Sequence, residues 1–350
     1  TSFRRREEVS VSTSHFNVTV AANEKSTQPY WLEGERQSFT YDWSKAGNNK
    51  NKPFADPLVT STVVVTLAGE DITLTQPVQY RYADDIRGEL RRDLNVVPAV
   101  TLGVDSDLLI ASIKGTKTHR VVTTVSNNTQ GPIQGTAGLD LPSGWSVSPK
   151  SQPFSLPNPG DKTAFTFDVT LPANPRAGSY VITAVADVAG KRYSQAMQEI
   201  AYPHMQTHRR FNPAKVTAQV LDLEVAPVKV GYVMGSGDRV PEAIRRIGLD
   251  VTMLDEKDLS TGDLSQYDTI VIGIRASQTR PDFVANNGRL LDFARNGGTL
   301  VVQYQQHEYV QRNLQPFPAS MTGVTRGNQR VSNLRVTDET AKVTVLVPSH

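Results

Sequence analysis

The sequence predicts a multidomain β plus α/β protein: immunoglobulin-like β-sandwich modules followed by a flavodoxin-like or amidotransferase-like parallel-sheet domain. Three observations carry this. Apolar and polar residues mostly alternate at period two from residue 9 to about residue 225. From residue 228 the pattern changes to strand-length apolar runs separated by helical spacings. The length, 350 residues, exceeds what one ordinary core fills. Domains are expected at 1–104 (β-rich, sandwich-like), 105–202 (immunoglobulin-like) and 228–350 (α/β), with a connector at 203–227.

In the first domain, Phe16-Asn17-Val18-Thr19-Val20 and Val63-Val64-Val65-Thr66-Leu67 read as strands. Ala68-Gly69-Glu70-Asp71 reads as a hairpin turn, and residues 47–53, Gly-Asn-Asn-Lys-Asn-Lys-Pro, as an exposed loop. Residues 84–92 offer the best helical spacing in this part. In the second domain, strands are expected at 121–125, 165–169 and 178–186, with turns at 126–128 and 190–191. This rhythm of short strands and turns is that of a sandwich, with Trp145 as its core plug. A polar, proline-bearing connector is expected at 203–213. In the third domain, strands at 228–234, 251–254, 267–274 and 299–304 alternate with helices at 240–247 and 283–295. Such alternation implies right-handed crossovers and a parallel sheet. Period-two alternation returns at 331–347.

Composition removes several chemistries. With 37 basic and 35 acidic side chains there is no basic excess for nucleic acid, and Arg4-Arg5-Arg6 is followed at once by Glu7-Glu8. No cysteine means no disulfide, thiolate nucleophile or cysteine-ligated metal. An amidotransferase activity of the α/β part therefore fails, and no Gly-x-Ser-x-Gly elbow replaces it. No apolar run approaches the ~20 residues of a membrane helix. The chain begins with Thr1, so a processed product or part of a longer gene product is expected.

In open α/β sheets, ligands bind beyond the carboxyl ends of the strands. Here those positions hold Gly235, Ser236, Gly237, Asp238 and Arg239 after the first strand, and Arg275 after the third. Gln303, Tyr304, Gln305, Gln306 and His307 follow the fourth. This lip suits a sugar, carboxylate or phosphate; the alternative is a tight turn, a helix cap at Asp238 and local pairing. Gly235-x-Gly237, with Asp255 about 20 residues on, partly mimics a dinucleotide fingerprint, but Val240 stands where its third glycine belongs. His204 and His208 would share a metal only on a helix; Pro203 and Pro213 favour an extended segment, which holds them about 13 Å apart. Trp31 and Trp43, in Pro29-Tyr30-Trp31-Leu32 and Tyr41-Asp42-Trp43, read either as sugar platforms or as packing plugs. Asn17-Val18-Thr19 and Asn127-Asn128-Thr129 match the glycosylation pattern.

Several longer stretches carry a resemblance. They are Gln28-Pro29-Tyr30-Trp31-Leu32, Gly88-Glu89-Leu90-Arg91-Arg92, Leu141-Pro142-Ser143-Gly144-Trp145 and Tyr202-Pro203-His204. Residues 230–241, Gly273-Ile274-Arg275-Ala276 and residues 297–304 complete the set. In this order they resemble the long C-terminal region of large bacterial LmbE-like (PIG-L) deacetylases, zinc-dependent hydrolases of N-acetylglucosamine-type substrates. The resemblance covers nearly the whole chain. Within it, residues 105–202 resemble the NPCBM-associated immunoglobulin-like module of α-galactosidases, and 228–350 resemble ThuA-like and glutamine-amidotransferase-like domains. The family's zinc and catalytic acid come from an N-terminal domain with an Ala-His-Pro-Asp-Asp-Glu signature, and no His-Pro-Asp-Asp occurs here. The resemblance therefore implies a non-catalytic accessory region, with no cofactor in this chain and zinc in the absent catalytic domain; the alternatives are an α/β domain with its own activity on a sugar or sugar acid, and a purely structural spacer or oligomerisation region. The implied partners are a carbohydrate or glycoconjugate, that catalytic domain and, in an oligomer, further subunits; the implied place is periplasmic or secreted.

Overall fold

The computed structural model describes residues 13–21, 24–34, 36–326 and 329–336. They fall into two compact units. The first comprises Thr1–Leu108, Thr118–Ala173 and Ser179–Ala218; the second comprises Leu109–Lys117, Asn174–Gly178 and Gln219–His350.

The first unit begins with two antiparallel hairpins. Strands β1 (Thr60–Leu67) and β2 (Glu70–Pro77) join at Ala68 and Gly69, both with positive φ as a type I′ turn requires. Strands β3 (Gln79–Asp84) and β4 (Gly88–Asp93) form the second hairpin, so residues 84–92 are not helical. The reason is local. The Asp84 carboxylate accepts from the Ile86 and Arg87 backbone N–H groups and from the Arg87 guanidinium, closing a tight turn that Gly88 completes at φ 74°. Residues 16–20, predicted as a strand, have no ladder partner among the described residues.

The sandwich follows: β5 (Val100–Val104), β6 (Leu108–Ser112), β7 (Thr118–Asn127), β8 (Ile133–Asp140), β9 (Ser146–Ser148), β10 (Ser151–Leu156), β11 (Lys162–Thr170) and β12 (Gly178–Val188). After them come β13 (Lys191–Tyr193), β14 (Gln195–Ile200), β15 (His208–Pro213) and β16 (Lys215–Leu221). One sheet runs β5-β7-β11-β9; the other carries β10-β8-β12-β16, with β13 beside β12. Period-two burial is clear on β7, where Val121, Thr123, Val125 and Asn127 are buried, and on β11, where Phe165, Phe167 and Val169 are. With Val100, Ile133 and Phe154, most of these apolar side chains form the core.

Two expectations are corrected here. Trp145 is half-buried and lies tilted on Tyr180 at 5.4 Å, outside the core. Gly144, at φ 82°, turns the chain just before the short edge strand β9, which leaves Trp145 at the margin. The expected connector is largely sheet, because β15 pairs with β14 and β16 joins the sandwich. Alternation of small and apolar residues (Val216, Ala218 and Val220, all buried) builds β16, while Pro213 ends β15 and Pro203 lies in the turn before it.

In the second unit, β17 (Val230–Val233), β18 (Val251–Met253), β19 (Thr269–Ile272) and β20 (Thr299–Val302) form a small parallel sheet in the order β18-β17-β19-β20. Helices α1 (Val240–Arg246), α2 (Glu256–Thr261), α3 (Ala276–Thr279), α4 (Pro281–Arg295) and α5 (His307–Gln311) accompany it. Pro281 opens α4, where its missing N–H costs nothing. Val233, Ile270, Ile272, Phe283 and Leu290 share one core. The chain's winding reverses between β17 and β19, which makes their carboxyl ends the topological switch point. A hairpin of β21 (Ala319–Arg326) and β22 (Gln329–Val336) follows; the predicted alternation beyond residue 336 lies outside the described residues.

Candidate functional site

The predicted lip does come together at the switch point, but mainly through its backbone. The Gly273 N–H donates to Val233 O at 2.8 Å and the Ser236 N–H to Ile274 O at 2.8 Å. The Gln303 N–H donates to Ile272 O at 3.0 Å and the Arg275 N–H to Tyr304 O at 2.9 Å. The loops after β17, β19 and β20 are thus knitted edge to edge. Gly235 is essential to this approach, since a Cβ there would lie 1.9 Å from Ile274 O. Gly237 serves differently, turning the chain at φ 96° with nothing within 4 Å of its missing Cβ.

Asp238 is an internal anchor. Its carboxylate accepts from the Tyr232 hydroxyl at 2.8 and 3.0 Å and from the Val240 N–H at the start of α1 at 2.9 Å. Tyr232 is wholly buried; burial first, and then the Asp238 carboxylate, pushes its phenol above the usual range. Gln303 donates to that hydroxyl at 3.0 Å. Ser236, Gly237, Arg239, Arg275, Tyr304 and His307 are exposed. Arg275 adopts a left-handed conformation at the entry to α3, and its guanidinium donates to the Gln306 amide oxygen at 3.0 and 3.2 Å. Asp255, the would-be ribose acid, caps α2 by accepting from the Asp258 N–H at 2.9 Å.

Two further residues organise the rim: Arg280, which sequence reasoning missed, and Gln305, which it placed in the lip without a role of its own. Arg280 donates to Met234 O and Leu254 O, each at 3.3 Å, bridging the ends of β17 and β18. It also pairs with Asp282, whose carboxyl it holds below the usual range. Gln305 is buried; it accepts from the Ser277 N–H at 3.0 Å and donates to Gly273 O at 2.9 Å and Gln303 O at 3.1 Å. No sequence motif marks Arg280 as a bridge, because the two carbonyls it binds are brought near only by the fold.

A groove of about 630 Å³ opens at the opposite, amino edge of the sheet, lined in part by Tyr267, Asp268, Arg289 and Asn296. Two of its charged groups are held by the protein: Arg289 donates to Leu259 O and Gly262 O, and Asp268 accepts from the Lys229 N–H. In the first unit, Tyr30 is buried and meets Trp31 and Trp43 edge-to-face at 5.0 and 5.9 Å, the geometry of a packing plug. Asn127 is fully buried, donating to the carbonyls of Gly131, Leu156 and Asn158 and accepting from Thr129, so the folded chain offers no glycosylation acceptor there.

Residues 112–189 match the family described as the NPCBM-associated, NEW3 domain of alpha-galactosidase. No curated protein matches the chain at a significant level. Among solved structures, an alpha-2-macroglobulin mutant of Salmonella is similar over 44% of this chain and 10% of that one, at 18% identity and a TM-score of 0.25. A FixG-related protein from Vibrio parahaemolyticus is similar over 35% of this chain and 98% of its own, at 12% identity and a TM-score of 0.23. Native alpha-2-macroglobulin from Escherichia coli is similar over 35% of this chain and 16% of that one, at 16% identity and a TM-score of 0.23.

Proposed function

We propose that the chain is a non-catalytic, carbohydrate-associated accessory region of a zinc-dependent LmbE-like deacetylase, which it positions on an N-acetylated sugar or glycoconjugate outside the cytoplasm. The match of residues 112–189 to the NPCBM-associated module carries the carbohydrate part. The deacetylase part rests on the motif resemblance, and the metal chemistry belongs to a domain with the His-Pro-Asp-Asp signature that these 350 residues lack. The rim geometry supports an accessory role, since the side chains of Asp238, Gln303, Gln305 and Arg280 are engaged in hydrogen bonds within the domain. No helix among the described residues is long and apolar enough to cross a membrane.

A second reading gives the α/β domain its own activity on a sugar or sugar acid. The exposure of Arg239, Arg275, Tyr304 and His307 favours it. Acetate release from N-acetylated oligosaccharides, with zinc added, separates the two. The proposal expects none from the pure chain, and zinc-dependent turnover would overturn it.

A further inference from the structure

Two stacked aromatic pairs in the first unit lie at the surface. Tyr80 and Tyr82, two apart on β3, share one face of their hairpin; their rings stack at 5.6 Å and 22°. Arg92, directly opposite Tyr80 on β4, sets its guanidinium 5.7 Å from the Tyr82 ring centre and donates from Nε to the Tyr82 hydroxyl at 2.9 Å. The ladder therefore runs Arg92, Tyr82, Tyr80, and Tyr80 is 62% exposed. The second pair, Tyr202 and His204, stacks at 5.9 Å and 29°, with Tyr202 58% exposed.

Two long-range hydrogen bonds tie the hairpin to the segment that carries the second pair. Arg92 Nη1 donates to Thr207 Oγ1, and Gln206 Nε2 donates to Arg91 O at 3.2 Å. These bonds engage Nε and Nη1 of Arg92, leaving Nη2 as a further donor. Clustered exposed aromatic rings make a candidate binding surface, and a guanidinium beside them adds a donor at its edge. The ligand that fits combines an apolar ring face with hydroxyls around it and carries no concentrated charge. The other arginines of the hairpin sit beside carboxylates, Arg81 and Arg91 with Glu89 and Arg87 with Asp84, whereas Arg92 engages the neutral Tyr82 ring and hydroxyl and the Thr207 hydroxyl.

We propose that Tyr80, Tyr82, Arg92 and Tyr202 form a glycan-binding surface, with a pyranose ring stacked on Tyr80 and hydroxyls bonded by Arg92. This rests on the carbohydrate reading above and assigns it to side chains outside the module that residues 112–189 form.

Calorimetric titration of the full 350-residue chain with tetramers of β-1,4-linked N-acetylglucosamine and of galactose tests it. Tyr80→Ala and Tyr202→Ala, each with an unchanged melting curve, should weaken binding by about 10-fold, the equivalent of one aromatic contact. Tyr80→Phe should bind within about twofold of the parent. If the parent binds a tetramer and both alanine variants bind equally well, this surface is wrong while the carbohydrate reading stands. If the parent binds neither tetramer, both fall.

Discussion

Gly235→Ala tests the closed switch point. An added Cβ would sit 1.9 Å from Ile274 O, 2.8 Å from its carbonyl carbon and 2.9 Å from Gly273 C, all backbone atoms that no rotamer change can move. Restoring an ordinary contact requires the loops after β17 and β19 to part by about 1.5 Å. That separation acts directly on the hydrogen bonds from Ser236 to Ile274 and from Gly273 to Val233, both 2.8 Å. Each is worth about 1 kcal/mol net and more when its partners are left buried. Overpacking adds about 1–3 kcal/mol, so the variant should lose about 3–5 kcal/mol. For a unit of this size that is a fall of roughly 10–20 °C in melting temperature. Gly237→Ala is the control: it has positive φ but open space, and should cost only about 1 kcal/mol of backbone strain. Calorimetric melting of both variants decides. A Gly235→Ala melting point within about 2 °C of the Gly237→Ala value would refute the closed rim.

Phe167→Ala, at a wholly buried position between the two sheets, should cost about 3–5 kcal/mol in urea unfolding of the sandwich. Asn127→Ala removes the donor for three carbonyls and should cost about 2–3 kcal/mol; mass spectrometry of chain made in a glycosylating host should find Asn127 unmodified. Burial pushes the Tyr309 phenol up to about 12 from 10.0. Its folded pKa is raised, so this stability is complete below pH 10 and is lost as pH rises toward 12; Tyr309→Phe should flatten the alkaline fall in urea midpoint. Arg280→Met should lower the stability of the α/β unit by about 2 kcal/mol. It should also remove the acid-side loss that follows from the lowered Asp282 pKa, stability present above 3.8 and lost as pH falls through the folded value.

What the sequence disclosed depended on how local the cause was. The β17–β20 sheet was legible because buried parallel strands are continuous apolar runs, as at Thr269–Ile272. The β1–β2 turn was legible because Ala68-Gly69 needs no distant partner. The β3–β4 hairpin was misread, because Asp84's bonds to Ile86 and Arg87 override a spacing that looks helical. Trp145 was misplaced because large aromatics fill margins as well as cores, and only the sheet order decides which. At the lip, chain position predicted which loops meet. It did not predict that Asp238 faces inward to a buried phenol, or that Arg280 would bridge two strand ends. Those depend on carbonyls and hydroxyls that are far apart in sequence.

The carbohydrate association is the centre of the account, and saturation-transfer NMR of the whole chain with a panel of N-acetylated and unsubstituted oligosaccharides tests it most directly. The account predicts saturable transfer to at least one of them, strongest at the ring protons of an apolar sugar face. Absence of transfer to every sugar in the panel, from a chain shown to be folded by its melting curve, would contradict it.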